Sequence, residues 1–269
     1  MNSTNIKINK NHQSLKYLLF IVIATIIFLG SIYLLDLDLT KFIMRLSNIP
    51  TVINRMLVFD VSLIPNILRE TLVSITLAFS ALTLGTVISF VLAIFSASNL
   101  APNKYLAVVI KNLVALIRAV PAIVWVLMVV ASIGFGNTGG MIGLIFPTVG
   151  YLSKSFAASL EEDGFDHIEA IKSTGAPWLS VALFGIVSES LPKIIAWIAM
   201  RFENNIAEGI SLGMVGVGGV GYLLNKAIMQ FNYPAISTII VVIFITMLSM
   251  ELLTQTFKNK LRNANGGFK

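Results

Sequence analysis

Cysteine is absent from the chain. That excludes disulfides, thiolate zinc sites, iron–sulfur clusters and cysteine nucleophiles, and it leaves the redox compartment unreadable. Histidine is nearly absent: His12 and His167 stand in a tail and a loop without a ligand-spaced companion, so neither a metal site nor a general base is expected. No Gly-x-x-x-x-Gly-Lys-Ser/Thr loop occurs, so any ATP chemistry has to come from another subunit, and no cofactor is expected. Charge is scarce as well. Charged residues make up 12% of the 269 positions, against 56% hydrophobic ones, and the mean hydropathy is +0.86. A soluble domain carries about a quarter charged residues, so this composition cannot clothe a soluble globule and places the chain in a bilayer. No fixed-period repeat is visible, and low complexity is confined to residues 263–267.

Long apolar runs are what the sequence has in abundance. About 20 helical residues cross a hydrocarbon core of about 30 Å. Residues 17–35 carry no charge, follow Lys7, Lys10 and Lys16, and precede Asp36 and Asp38. The run is too long for a signal-peptide core and lacks a small-residue cleavage site, which predicts a retained first span with a cytoplasmic N-terminus. Residues 71–97, 119–135, 141–158, 193–213 and 235–253 are five further predicted spans, and 60–70, with Pro65 inside, reads as an interfacial lead-in helix. Six crossings that start inside put 98–118, 160–192 and the tail from Lys258 on the cytoplasmic side. Lys104, Lys111 and Arg118 in the first, and Lys258, Lys260, Arg262 and Lys269 in the last, come without an acid, in keeping with the positive-inside rule. The net charge of +6 is therefore read as membrane orientation and not as nucleic-acid binding. The expected fold class is all-α: a polytopic membrane protein with six transmembrane helices.

The polar island 160–192 interrupts this pattern. Asp166 followed by Glu169 has the form of a capping box, Gly175 suits the left-handed residue that ends a helix, and Pro177 prevents continuation. A helix of about two turns results, followed by a second from Trp178 to about Ser188. So short a helix needs a surface to dock on, either its own bundle or a partner.

Polar residues also enter the fifth span. Arg201, Asn204, Asn205 and Glu208 recur at helical spacing and are expected on one face, with Glu203 pointing elsewhere. A charge at the centre of a lone helix costs at least about 2.5–3.5 kcal/mol, so these groups face protein or water. Two readings stand: a network that holds helices together, or the lining of an aqueous path in which Arg201 and the amides contact an anion transiently. After them, Gly213, Gly216, Gly218, Gly219 and Gly221 contain a formal Gly-x-Gly-x-x-Gly. The preceding strand and the soluble βαβ unit of a dinucleotide site are missing, so the glycines are read as permitting close helix approach or a broken backbone at the mouth of a path. Met200, Met214, Met229, Met247 and Met250 show no paired spacing and are read as packing residues.

At Glu169-Ala170-Ile171, three residues, Gly175, and later Pro192, the chain resembles the inner-membrane permease family of ABC importers. Arg118-Ala119-Val120-Pro121 resembles the Arg-x-x-Pro that opens a core span there. The block from Arg201-Phe202-Glu203-Asn204-Asn205-Ile206 through the glycine run is most similar to the phosphonate branch, with Phe202 in place of a Trp and Ala207 in place of an Arg. The resemblance covers roughly residues 63–260. It implies a type I ABC importer permease fold in which Asp166, Glu169, Ala170, Ile171 and Gly175 shape a coupling helix seated in a cleft of the ATPase subunit. It further implies a homodimer or a paired permease, two ATPase subunits, an extracytoplasmic substrate-binding protein, and phosphonate or a related phosphorus oxyanion as cargo. Residues 1–60 would then be the N-terminal tail, first span and outside segment, 61–260 the permease core, and 261–269 a cytoplasmic tail. An ion-driven secondary transporter using Arg201, Glu203 and Glu208 is the rival class; it calls for an inverted repeat, and none is visible.

Overall fold

The computed structural model describes residues 10–35, 38–162, 171, 173 and 175–265. Two compact units are distinguished, residues 1–54 and 55–269.

In the first unit, α1 (Lys10–Leu34) is 25 residues long and exposes its apolar side chains all round. The hydroxyls of Thr25 and Ser31 donate back to the carbonyls of Ile21 and Ile27 at 2.8 Å, which satisfies them without water. Two helices of eight residues follow, α2 (Leu39–Leu46) and α3 (Ile49–Met56), the second ending two residues past the unit boundary and both too short to cross. Asp38 caps α2 by accepting from the Lys41 N–H at 2.9 Å and pairs with the Lys41 ammonium. That N–H, together with the ammonium, holds the Asp38 carboxyl below the usual carboxylate range.

The second unit is built on α4 (Ile64–Ser96), a single helix of 33 residues with Pro65 in its first turn. The predicted lead-in helix and second span are thus one rod of about 50 Å. Pro at the first turn starts a helix and does not break it, because its missing N–H has no intrahelical partner there. Ala78, Ala81, Gly85, Ser89 and Ala93 form a buried small-residue stripe along α4. That stripe receives α7 (Asn137–Glu162) so closely that a Cβ at Gly85 would lie 2.5 Å from a Thr148 methyl. Helices in lipid gain no hydrophobic drive from association, so close backbone approach over small residues is how such a pair holds.

Between them, α5 (Lys104–Ala119) and α6 (Ala122–Ile133) meet at 87°. The predicted span 119–135 is therefore not one straight crossing. Its helix, α6, has 12 residues and reaches about 18 Å. Pro121 is the cause: it removes a donor and pushes Val120 out of the helical region, to φ −90°, ψ 125°. The Trp125 indole of α6 then donates to the Ile117 carbonyl of α5 at 3.0 Å, satisfying an acceptor that the bend leaves orphaned.

A helical turn at Trp178–Ser180 and a π-helical stretch at Val181–Val187 lead without a break into α8 (Ser188–Leu212). The two helices predicted on either side of Pro192 are thus continuous. Proline is tolerated inside such a helix where neighbours and π-type adjustments re-satisfy the freed backbone groups. The chain ends in α9 (Gly219–Met229) and α10 (Tyr233–Asn265). Among the described residues, five helices are long and apolar enough to cross a membrane, and the bent α5–α6 pair makes a sixth if it counts as one span.

Candidate translocation and coupling sites

The polar positions of α8 that helical spacing groups together differ in burial and in their partners. Arg201 and Glu208, two turns apart, join fork to fork, with Nη1 to Oε1 at 3.0 Å and Nη2 to Oε2 at 2.7 Å. The Arg201 side chain is 5% exposed and that of Glu208 30%. Above the guanidinium lies the ring of Tyr151 from α7, 5.6 Å from Cζ to centroid. Tyr151 meets Trp197 edge to face, and the Trp197 indole donates to the Ser159 hydroxyl at 3.1 Å. The pair is therefore walled by aromatic rings, and the Arg201 Nε is left buried without an acceptor.

Asn205 turns inward and is fully buried. Its oxygen accepts from the Thr148 hydroxyl at 3.0 Å and its nitrogen donates to the Ala78 carbonyl at 3.4 Å, tying α8 to α7 and α4. Asn204, one turn before Glu208, is exposed, and Glu203 is half-buried. Helical spacing groups positions only to within about a 100° stripe, and one residue of drift separates the two amides onto different surroundings.

The glycines end α8 and reverse the chain. Val215 and Gly216 leave helical geometry, and Gly216, Gly218 and Gly219 take φ of +98°, +111° and +70°, a region that bears a Cβ only under strain. Gly213 and Gly221 serve close approach: a Cβ on Gly213 would lie 2.9 Å from the Gly221 Cα, and one on Gly221 would run into the Ile210 carbonyl. The Ser74 hydroxyl of α4 accepts the Val220 N–H at 3.1 Å, capping a donor that the start of α9 would otherwise leave unpaired. With 11 residues, α9 reaches about 16 Å, roughly half a hydrocarbon core.

Of the predicted coupling residues, Asp166, Glu169 and Ala170 lie outside the described residues. Ile171 is half-buried and packs against the cluster formed by Leu152, Phe156, Leu160, Val181 and Ile186. Gly175 has φ +78°, the left-handed conformation expected of a helix-ending residue. The flanks of the island are anchored. Glu161 Oε1 accepts from the Ser98 N–H at 2.7 Å, the Ser98 hydroxyl at 2.8 Å and the Lys111 ammonium at 2.8 Å. On the other flank, Trp178 donates to the Leu100 carbonyl at 2.7 Å and stacks on Phe95. Both flanks therefore grip the turn that follows α4.

Tyr151, Trp197, Thr148 and Ser74 were not legible as site residues, because an aromatic or small hydroxyl in an apolar run reads as packing. Among the described residues, no cluster of three metal-ligating side chains occurs.

Residues 89–263 match the family of binding-protein-dependent transport system inner membrane components. The phosphate-import permease protein PhnE of Mycolicibacterium smegmatis is 30% identical over 188 residues, 70% of this chain and 35% of that protein, so the chain spans about a third of that relative's length. The phosphite transport system permease protein PtxC of Stutzerimonas stutzeri is 27% identical over 241 residues, 90% of this chain and 86% of that one. In fold, the chain is similar to the inward-facing MetNI methionine ABC transporter in its native crystal form, with a TM-score of 0.67 at 15% identity over 76% of this chain and 99% of that one. The family match spans well over half of the sequence, and the helical architecture agrees with it: the chain belongs to the binding-protein-dependent transport system inner membrane component family, the permease subunits of ABC importers.

Proposed function

We propose that this permease forms, with a second permease copy, the path for a phosphorus oxyanion such as phosphonate, phosphite or phosphate. A separate pair of ATPase subunits drives it, and an extracytoplasmic binding protein delivers the cargo. The cargo class is supported by relatives whose names specify phosphate and phosphite. The observation that carries the path is the Arg201–Glu208 fork, a guanidinium already arranged to hold two oxygens inside an apolar helix. Glu208 neutralises Arg201 between transits, so the anion meets a cation that can release it. Asn204 and the break at Gly213, Gly216, Gly218, Gly219 and Gly221 contribute to the same route, while Asn205 fixes the helix that carries it.

Coupling runs through the island. Asp166, Glu169, Ala170, Ile171 and Gly175 present a short helix to the ATPase, and the anchored flanks pass its motion to α4, α7 and the stretch entering α8. Both termini and the island face the cytoplasm. The chain has no native cysteine, so single cysteines at 169 and 204 report sidedness and water access without background. Expected are labelling at 169 from the cytoplasmic side only and state-dependent labelling at 204. Labelling of 169 from outside, or ATP-driven phosphonate uptake that survives both Glu169→Ala and Gly175→Val, overturns the reading.

A further inference from the structure

A pocket of about 340 Å³ opens beside the end of α4, between α5 and α7, away from the Arg201 fork. Lys111 and Arg118 of α5 and Ser153, Lys154 and Glu161 of α7 line it, with Ser96, the last residue of α4. Lys111 and Arg118 are seven apart on α5, and Lys154 and Glu161 are seven apart on α7 with Ser153 beside them, so each helix turns a single face to the cavity. Alanines at 115, 157 and 158 provide the room.

The charges do not cancel. Lys111 and Glu161 consume each other at 2.8 Å, and Glu161 is further held by the Ser98 N–H and hydroxyl. Arg118 and Lys154 remain, with no side-chain hydrogen bond or ion pair found for either among the described residues. Arg118 is not simply reaching for bulk water along a free stem: its Cγ lies over Gly150, where a Cβ would come within 2.8 Å. Gly150 precedes Lys154 by one helical turn, which brings both cations to the same side of α7. The hydroxyl of Ser153 is the second, independent sign. It is 1% exposed and has no hydrogen-bond partner. A buried hydroxyl without a partner is costly, and a ligand oxygen in the pocket relieves it.

We propose that this pocket binds a phosphate-class oxyanion through Arg118, Lys154 and the Ser153 hydroxyl. A guanidinium, an ammonium and a neutral donor converging on a recess with apolar walls fit a tetrahedral anion, whose several oxygens accept from all three. Such an oxyanion comes from either of two sources, a free phosphate or phosphonate, or the headgroup of an anionic phospholipid at the end of the spans. The site is separate from the Arg201 fork and does not depend on the path proposed above.

The full chain is purified in maltoside micelles, which contain no phosphate, and inorganic phosphate is titrated while its phosphorus NMR line is followed. In parallel, the chain is rebuilt into nanodiscs containing phosphatidylglycerol, and native mass spectrometry counts the lipid that stays bound. Broadening of the phosphate line that weakens by at least about tenfold in the Arg118→Gln, Lys154→Gln double variant supports a free-oxyanion site. Retention of phosphatidylglycerol that the same variant abolishes, with no phosphate broadening, supports the headgroup as source. Ser153→Ala weakens either signal by a smaller factor, and Arg118→Lys keeps part of it. No binding in either arm, or binding indifferent to the double variant, overturns the proposal. Both cations are exposed, so these variants retain the fold. Phosphate binding that persists while Arg201→Gln abolishes uptake would show that pocket and path are distinct.

Discussion

Two ion pairs built from similar groups sit in different surroundings. Arg201 and Glu208 pair inside the bundle with side chains 5% and 30% exposed; Lys111 and Glu161 pair at its end with 43% and 33%. In the first, two parallel bonds and an aromatic roof replace water. In the second, a carboxylate collects a backbone N–H, a hydroxyl and an ammonium at the rim. Removing one partner of a buried pair strands a charge, whereas removing one partner of an exposed pair returns a group to solvent. The inner pair is thus a commitment of the fold, and the outer one a fastener for a connecting turn.

Breaking the inner pair is expected to give the largest effect. Glu208→Gln leaves the Arg201 guanidinium buried against Tyr151 and destabilises the chain by about 3 kcal/mol, the lower end of the range for stranded buried charges because Glu208 is itself partly exposed. Denaturation of the purified protein in detergent measures it. The Arg201→Met, Glu208→Leu double variant recovers most of that loss while abolishing anion uptake. A double variant as unstable as the single one would show that the pair, and not the stranded charge, holds the helix.

Next in size is Ser74→Ala. It leaves the Val220 N–H buried and unpaired at the chain reversal and costs about 1–3 kcal/mol. Hydrogen exchange localises the loss: the first turn of α9 should exchange faster while the α4–α7 contact stays protected. Uniform acceleration across the bundle would mean that the glycine break and the helix pair unfold as one unit.

What the sequence disclosed follows the same divide between inside and edge. The apolar runs of α1, α4, α7, α8 and α10 were legible because a bilayer demands length and composition before anything else. Arg201 and Glu208 were legible because charges in an apolar run stand out, and their separation by seven residues puts them on one side of a helix. The partners were not. Nothing in a window around Asn205 points to Thr148 or Ala78, which lie 57 and 127 positions away. Local pattern judged one proline in part and misjudged another. Pro121 opens α6 as expected, but the bend of 87° that it also sets was not legible; Pro192 reads as a boundary and lies within a continuous helix. Whether a proline breaks a helix depends on what neighbouring helices offer the freed carbonyl, which is tertiary information.

At the rim, Glu161→Gln tests the opposite prediction from Glu208→Gln. The Ser98 donors keep an acceptor and only the Lys111 attraction is lost, so the cost is about 0–1 kcal/mol and shrinks as salt rises toward 1 M. A loss as large as that of Glu208→Gln, and insensitive to salt, would mean that the end of α7 is as dry as the surroundings of the α8 pair.

The smallest effect is expected at the most open pair. Lys41 and Asp38 are 69% and 44% exposed and lie 2.9 Å apart, yet the acceptor role of Asp38 for the Lys41 N–H matters more than its charge. The N–H bond heads the causes that depress the Asp38 carboxyl. A depressed carboxyl favours the capped helix above its unfolded pKa, and that contribution fades as pH falls through the lower folded value. Amide shifts of α2 should therefore be flat from neutrality to about pH 4 and move only below it. Asp38→Asn, which keeps an acceptor oxygen without charge, should remove the pH response and leave the helix in place. Asp38→Ala should fray its first turn at every pH. If Asn frays the turn as badly as Ala, the charge and not the cap holds α2, and exposure alone would be a poor guide to what an ion pair does in this protein.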